Sequence, residues 1–171
     1  MPLTVEPAVS TADFDAFADL VTDYVNWCRE RYKDDVWFVD QALSHQSLDA
    51  ELRDLARKYS LPHGRAFIAR ADGVVCGCGA YRWIGTDIVE MKRLFVHAGF
   101  AGKGFGRELC RALMTAAKQD GCRFMRLDTA RKLHEAIALY TSLGFRQIAP
   151  YNDYPPELME HIIFLERALD E

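Results

Sequence analysis

The sequence predicts an α/β (α+β) fold: a mixed central sheet of about seven strands, antiparallel in its first half, with flanking helices. Three observations carry that reading. Asp72-Gly73 sits between two alternating apolar runs, 65–71 and 74–84, the pattern of a tight β-hairpin. An alternating run that ends near Val96 passes through glycines at 102, 104 and 106 into the helical spacing Leu109, Leu113, Met114, Ala117. A strand pattern at 122–127 follows that helix, and a helical crossover lets it lie parallel to the strand ending at Val96.

The other elements follow in order. Residues 3–8 form an opening strand, and Ser10 or Thr11 caps a helix whose apolar positions Phe14, Phe17, Leu20, Val21, Tyr24, Val25 and Cys28 recur at three and four. The stretch 34–47 reads as irregular; its Trp37, Phe38 and His45 either line a substrate entrance or cover the core. A second helix is expected over 48–59, with Leu52 and Leu55 inward, stopping before Pro62. Gly85-Thr86-Asp87 turns the chain into the strand ending at Val96, and Gly121 stops the helix over 104–119. Further on, Ala136, Leu139, Tyr140 and Leu143 share one helical face, with Gly144 as terminator. Strands at 145–149 and 161–166, around a loop containing Pro155-Pro156, complete the sheet.

Composition narrows the function. With 171 residues, 50% of them hydrophobic, the chain suits a single domain over residues 1–171. A net charge of −4 with no Lys/Arg block argues against a nucleic-acid partner. Met1-Pro2-Leu3-Thr4-Val5-Glu6 lacks a basic region followed by an apolar core, and no run approaches the ~20 apolar residues of a membrane span, so a cytoplasmic location without a membrane partner is expected. Cys28, Cys76, Cys78, Cys110 and Cys122 show no Cys-x-x-Cys and no paired histidines, so no metal site is expected. Cys76 and Cys78, two apart in a strand, should share one face as small core residues. The oligomeric state, homodimer included, is left open.

The glycine loop is the most informative stretch. Glycines remove side chains that would keep a ligand off the backbone, and a following helix offers unpaired amides at the positive end of its dipole, an arrangement suited to phosphate. A Walker loop would need Ser or Thr after the lysine, and Gly104 follows Lys103. A Rossmann fingerprint counted from Gly102 would put its third glycine at Arg107, although Asp128 lies at a suitable distance for a ribose contact.

Ala101-Gly102-Lys103-Gly104-Phe105-Gly106 resembles the pyrophosphate loop of the GNAT acetyltransferases, Gln/Arg-x-x-Gly-x-Gly/Ala, with Ala101 in place of Gln or Arg. The stretch from Leu133 to Phe145 is similar to that family's Asn-x-x-Ala-x-x-x-Tyr-x-x-x-Gly-Phe: Ala136, Tyr140, Gly144 and Phe145 match, and Leu133 stands where Asn is usual. The resemblance implies the GNAT acyl-CoA N-acyltransferase fold, with acetyl-CoA as co-substrate. Its pyrophosphate would lie on the loop from Ala101 to Arg107, Phe105 and Gly106 included, and its pantetheine arm along Leu94, Phe95 and Val96 and beside Leu133 and Ala136. Lys103 and Arg107 either add charge near the phosphates or are solvated cations of the helix face.

The resemblance also implies the reaction, N-acetylation of a primary amine of a small molecule. A peptide or protein acceptor is the alternative, and the departures at Ala101 and Leu133 keep a catalytically silent acyl-CoA sensor in view. An alkyl amine has pKa ~10.4, so a base or water relay must take its proton at neutral pH. Glu90, at the family's spacing before the loop, is the candidate base; otherwise it is a carboxylate satisfied by Lys92 or Arg82. Tyr140 is the candidate acid for the departing thiolate, or else a core tyrosine, and an amide near Val96 would polarise the carbonyl. Arg93 and Asp128 form a structural salt bridge, or Arg93 faces an acceptor carboxylate. Tyr151, Tyr154 and the segment from Asp34 to His45 are candidate acceptor walls.

Overall fold

A computed structural model of the chain describes residues 1–170. Seven strands form a sheet in the order β1-β2-β3-β4-β5-β7-β6: β1 Leu3–Pro7, β2 Gly64–Ala71, β3 Val74–Trp83, β4 Ile88–Val96, β5 Phe124–Ala130, β6 Arg146–Ile148 and β7 Ile162–Ala168. The helices are α1 Thr11–Arg31, α2 Val36–His45, α3 Leu48–Arg53, α4 Leu55–Lys58, α5 Phe105–Gln119, α6 His134–Ser142 and α7 Pro156–Met159. No helix among the described residues is long and apolar enough to cross a membrane. The chain divides into two compact units, one of residues 1–82 and 91–113, the other of residues 83–90 and 114–171.

In the first unit β2 pairs antiparallel with both β1 and β3. Asp72 and Gly73 join β2 to β3 at φ 49° and 81°, the left-handed pair that a two-residue hairpin turn requires. Ser10 caps α1: its hydroxyl accepts from the Asp13 amide while the Asp13 carboxylate accepts from the Ser10 amide. Phe17, Leu20 and Val21 of α1 are buried with Leu48, Leu55, Tyr59, Ala66, Ile68, Cys78 and Ala80. A second cluster joins Phe105 and Leu109 of α5 to Ala69, Ala71 and Cys76. Gly77 and Gly79 let α5 come this close, because a Cβ at Gly79 would lie 2.8 Å from Leu113 Cδ1 and one at Gly77 3.0 Å from Leu109 Cδ1.

Several local expectations change. Residues 34–47 are not irregular: α2 occupies most of them, since Phe38, Val39 and Ala42 provide a buried helical stripe that the mixed aromatic and polar composition obscures. The helix expected over 48–59 is two helices, α3 and α4, broken at Asp54 (φ −150°), whose carboxylate accepts from the Arg57 amide and starts the second. Cys76 and Cys78 join different core clusters, contrary to the shared face expected. Ala69 pairs with Gly77 and Arg70 with Val75, so Cys76 is the extra residue of a β-bulge and the alternation slips there. The loop expected around Pro155-Pro156 contains the short helix α7, with proline in its first turn.

In the second unit β5 lies parallel to the start of β4, with Ile88 opposite Phe124, Val89 opposite Met125 and Glu90 opposite Arg126. β7 pairs antiparallel with both β5 and β6. β5 runs three residues beyond the stretch 122–127 expected for it, so Asp128 lies within the strand opposite Phe164.

Candidate active site

In the first unit, the chain leaves β4 through a 3-10 turn at Ala98–Phe100 whose Gly99 amide donates to His97 Nδ1. Ala101, Gly102, Lys103 and Gly104 then lie exposed, and α5 begins at Phe105. Gly102 and Gly104 have φ of 76° and 80°, and a Cβ built on either meets no atom within 4 Å. The glycines are required by backbone conformation there, and the space above them is open. Helix geometry leaves the first amides of α5, from Phe105 on, without an acceptor inside the helix, at the positive end of its dipole. The arrangement fits a pyrophosphate. Gly106 and Arg107 are half-buried and Lys103 is exposed.

Leu94, Phe95 and Val96 end β4 half-buried, directly after a distortion at Arg93. Arg93 is in the left-handed region, φ 59°, which costs a non-glycine residue about 1–3 kcal/mol and persists only when its surroundings hold it there. They do so through the buried guanidinium. Arg93 Nε donates to Glu51 Oε2 at 2.7 Å, Nη2 to Glu51 Oε1 at 3.3 Å and Nη1 to Gln46 Oε1 at 2.8 Å. Lys58 and the Tyr59 hydroxyl also donate to Glu51 Oε1. Burial pushes the Glu51 carboxyl up, but the Arg93 hydrogen bond and charge, with Lys58, outweigh it and hold the pKa at about 2. Arg93 thus has its ion pair with Glu51, where the sequence suggested Asp128.

In the second unit, Leu133 is the buried N-cap residue of α6; its carbonyl accepts from the Ile137 amide and its side chain makes no capping hydrogen bond, so in place of the usual amide it supplies packing. Ala136 is half-buried one turn on. Tyr140 is buried with its ring 5.7 Å from that of Phe145, at 59°. Gly144 ends the helix at φ 88°, and the amide of Phe145 donates back to the Tyr140 carbonyl.

Glu90 is fully buried on β4. Asn152, 62 residues away in the loop before α7, donates from Nδ2 to Glu90 Oε2 at 2.9 Å and to Asp128 Oδ2 at 2.8 Å. The Tyr154 hydroxyl donates to the same Asp128 oxygen at 3.1 Å. Tyr151 lies beside the pair without closing a well-formed hydrogen bond. Burial first, then the Glu90 and Asp128 charges, push its phenol well above the usual tyrosine range. The structure therefore gives Glu90 a partner in Asn152, a residue that sequence reasoning did not single out.

Three residues here escape sequence reasoning. Glu51 left a trace: it falls on the stripe Leu48, Glu51, Leu52, Leu55, and a carboxylate on a buried stripe requires a buried cation. Gln46 and Asn152 left none.

The fold and the loop define a class, the N-acyltransferases that use coenzyme A. The fold is similar to that of the PaiA N-acetyltransferase of Thermoplasma acidophilum, solved in complex with coenzyme A, with a TM-score of 0.75 and 17% identity over 98% of this chain and 99% of that one. At this identity the likeness is one of fold. The family follows from sequence: the model of the acetyltransferase (GNAT) family matches residues 19–145, and the chain belongs to that family as an N-acetyltransferase. Among relatives, an uncharacterized N-acetyltransferase of Schizosaccharomyces pombe is 34% identical over 145 residues, 84% of this chain and 82% of its own. The IAA acetyltransferase of Azospirillum brasilense is 33% identical over 142 residues, 82% and 85% of the two chains.

Proposed function

We propose that this chain transfers the acetyl group of acetyl-CoA to a primary amine of a small-molecule acceptor, and that residues 1–171 act as one domain in doing so. The observation that carries the reading is Glu90, a fully buried carboxylate held in place by Asn152 in a chain of this family. A base in such a setting serves a slender primary amine, and a small molecule is the simplest carrier of one.

The roles are as follows. The loop from Ala101 to Arg107 holds the pyrophosphate through backbone amides, which explains why Ala101 suffices where the family usually has Gln or Arg. Leu94, Phe95 and Val96 pair with the pantetheine, and Leu133 and Ala136 pack beside it. Glu90, directly or through water, takes a proton from the amine nitrogen. The nitrogen lone pair then forms the C–N bond as the C–S bond breaks, the Tyr140 hydroxyl gives its proton to the departing thiolate, and the excess proton on the new amide nitrogen passes back to the phenolate, leaving neutral amide, free thiol and neutral Tyr140. A thiol near pKa 8.5 and a phenol near 10 make full transfer uphill by roughly 2 kcal/mol, which a hydrogen bond tightening in the transition state offsets.

A thiol-release assay with acetyl-CoA against a panel of small amines and peptides tests the proposal. Turnover with a small amine is expected. Turnover with peptides alone would move the acceptor to the peptide class, and binding of acetyl-CoA with no turnover on any amine would make the chain a sensor.

A further inference from the structure

Two carboxylates meet in the second unit, Glu90 on β4 and Asp128 on β5, and a single amide group lies between them. Carboxylates only accept, so the amide can satisfy both only by presenting its nitrogen and spending one hydrogen on each, at 2.9 and 2.8 Å. Like charges this close cannot both stay ionised in a buried setting unless donors compensate them. The Tyr154 hydroxyl is a second donor to Asp128. Arg126, opposite Glu90 in the ladder, gives its Nε to Glu166 at 2.7 Å and lies 5.3 Å over the Tyr151 ring. The Tyr151 phenol lies beside the pair as a further oxygen.

We infer that Asn152 is a positioning residue which, by giving one amide hydrogen to Glu90 and the other to Asp128, holds the two carboxylates side by side as one doubly negative pair. The pair suits a cationic amine: its charge draws in the protonated acceptor, and Glu90 then takes the proton. This rests on the proposed role of Glu90 as base and adds Asp128 and Asn152 to it.

The test is read on the carboxyl group itself, so it stands apart from turnover. Carboxyl-labelled glutamate in the full chain gives one NMR titration curve per glutamate, and Glu90→Gln identifies the Glu90 signal by its loss. In Asn152→Leu the Glu90 midpoint is expected to rise by about one pH unit or more, since a donor to the charged form is gone. Asn152→Ser, with one donor hydrogen in a smaller side chain, should shift it in the same direction by less, and it decides the matter if the leucine variant does not fold. An unchanged midpoint in either folded variant overturns the role of Asn152. A wild-type rate–pH profile in Glu90→Gln would instead remove the base assignment, and the two failures are separately visible.

Discussion

Arg93, in a left-handed backbone conformation on β4, is bound through both Nε and Nη2 to the buried carboxylate of Glu51 on α3, 42 residues earlier in the chain. Glu51 collects donors from Arg93, Lys58 and Tyr59, so it is the acceptor around which this part of the first unit is assembled. The distorted residue lies immediately before the strand segment assigned to pantetheine. Holding its guanidinium is therefore also a way of holding that segment.

Removing the Glu51 charge should be costly and pH-dependent. Glu51→Gln leaves a buried guanidinium uncompensated, a loss on the order of 3–5 kcal/mol at neutral pH. The carboxyl pKa is about 2 in the folded state against an ordinary 4.5, so the native state binds this proton more weakly than the unfolded chain. Its stabilisation is complete above about pH 4.5 and fades as pH falls toward 2. Urea unfolding of wild type and variant should show a gap that narrows across that window. A gap independent of pH would contradict the assignment.

Replacement of Gly104 by valine should separate binding from folding. The position has φ 80° with open space around it, so the variant bears left-handed strain of roughly 1–2 kcal/mol but no clash, and it should stay folded. Coenzyme A at 100 times its dissociation constant stabilises the native state by ~2.7 kcal/mol, visible as a rise in Tm. The rise is expected in wild type and not in Gly104→Val, and NAD should give none in either.

Gly144 and Gly102 should respond differently to alanine. Both have positive φ, but a Cβ at Gly144 would lie 2.9 Å from Arg167 Nε, whereas one at Gly102 meets nothing. Arg167 Nε also donates to the Leu143 carbonyl, so moving it aside disturbs the end of α6. Gly144→Ala should lose more stability than Gly102→Ala in a denaturant titration, and equal losses would show that Arg167 yields freely.

Tyr140→Phe keeps the ring that packs against Phe145 and removes only the hydroxyl. As the donor to the thiolate, Tyr140 should lose about 10²-fold or more in kcat on this change, with Tm and coenzyme A binding little altered. Near-normal turnover would make it a core tyrosine. A drop in Tm accompanying the loss would mark a buried structural hydrogen bond, worth on the order of 1–3 kcal/mol.

What the sequence disclosed follows the range of the interaction. The Asp72-Gly73 hairpin, the Ser10 cap and the glycine loop are matters of neighbouring residues, each legible in a window of a dozen positions, and the crossover from β4 through α5 to β5 is read from three such windows in succession. The split of α3 from α4 turns on one aspartate side chain capturing an amide, a competition that periodicity does not record. The β-bulge at Cys76 reverses a face by one residue, and no alternation pattern contains it. The pairing of Arg93 with Glu51 and that of Glu90 with Asn152 span 42 and 62 residues and are set by tertiary packing.

The most direct measurement is the rate–pH profile of Glu90→Gln with acetyl-CoA and the best amine from the acceptor screen. If Glu90 takes the amine's proton, kcat/KM in the variant should fall by about 10²-fold or more at neutral pH and recover as pH rises toward the amine's own pKa, where the nucleophile is neutral without help. A variant with the wild-type rate and the wild-type profile would contradict the role of Glu90 in the reaction.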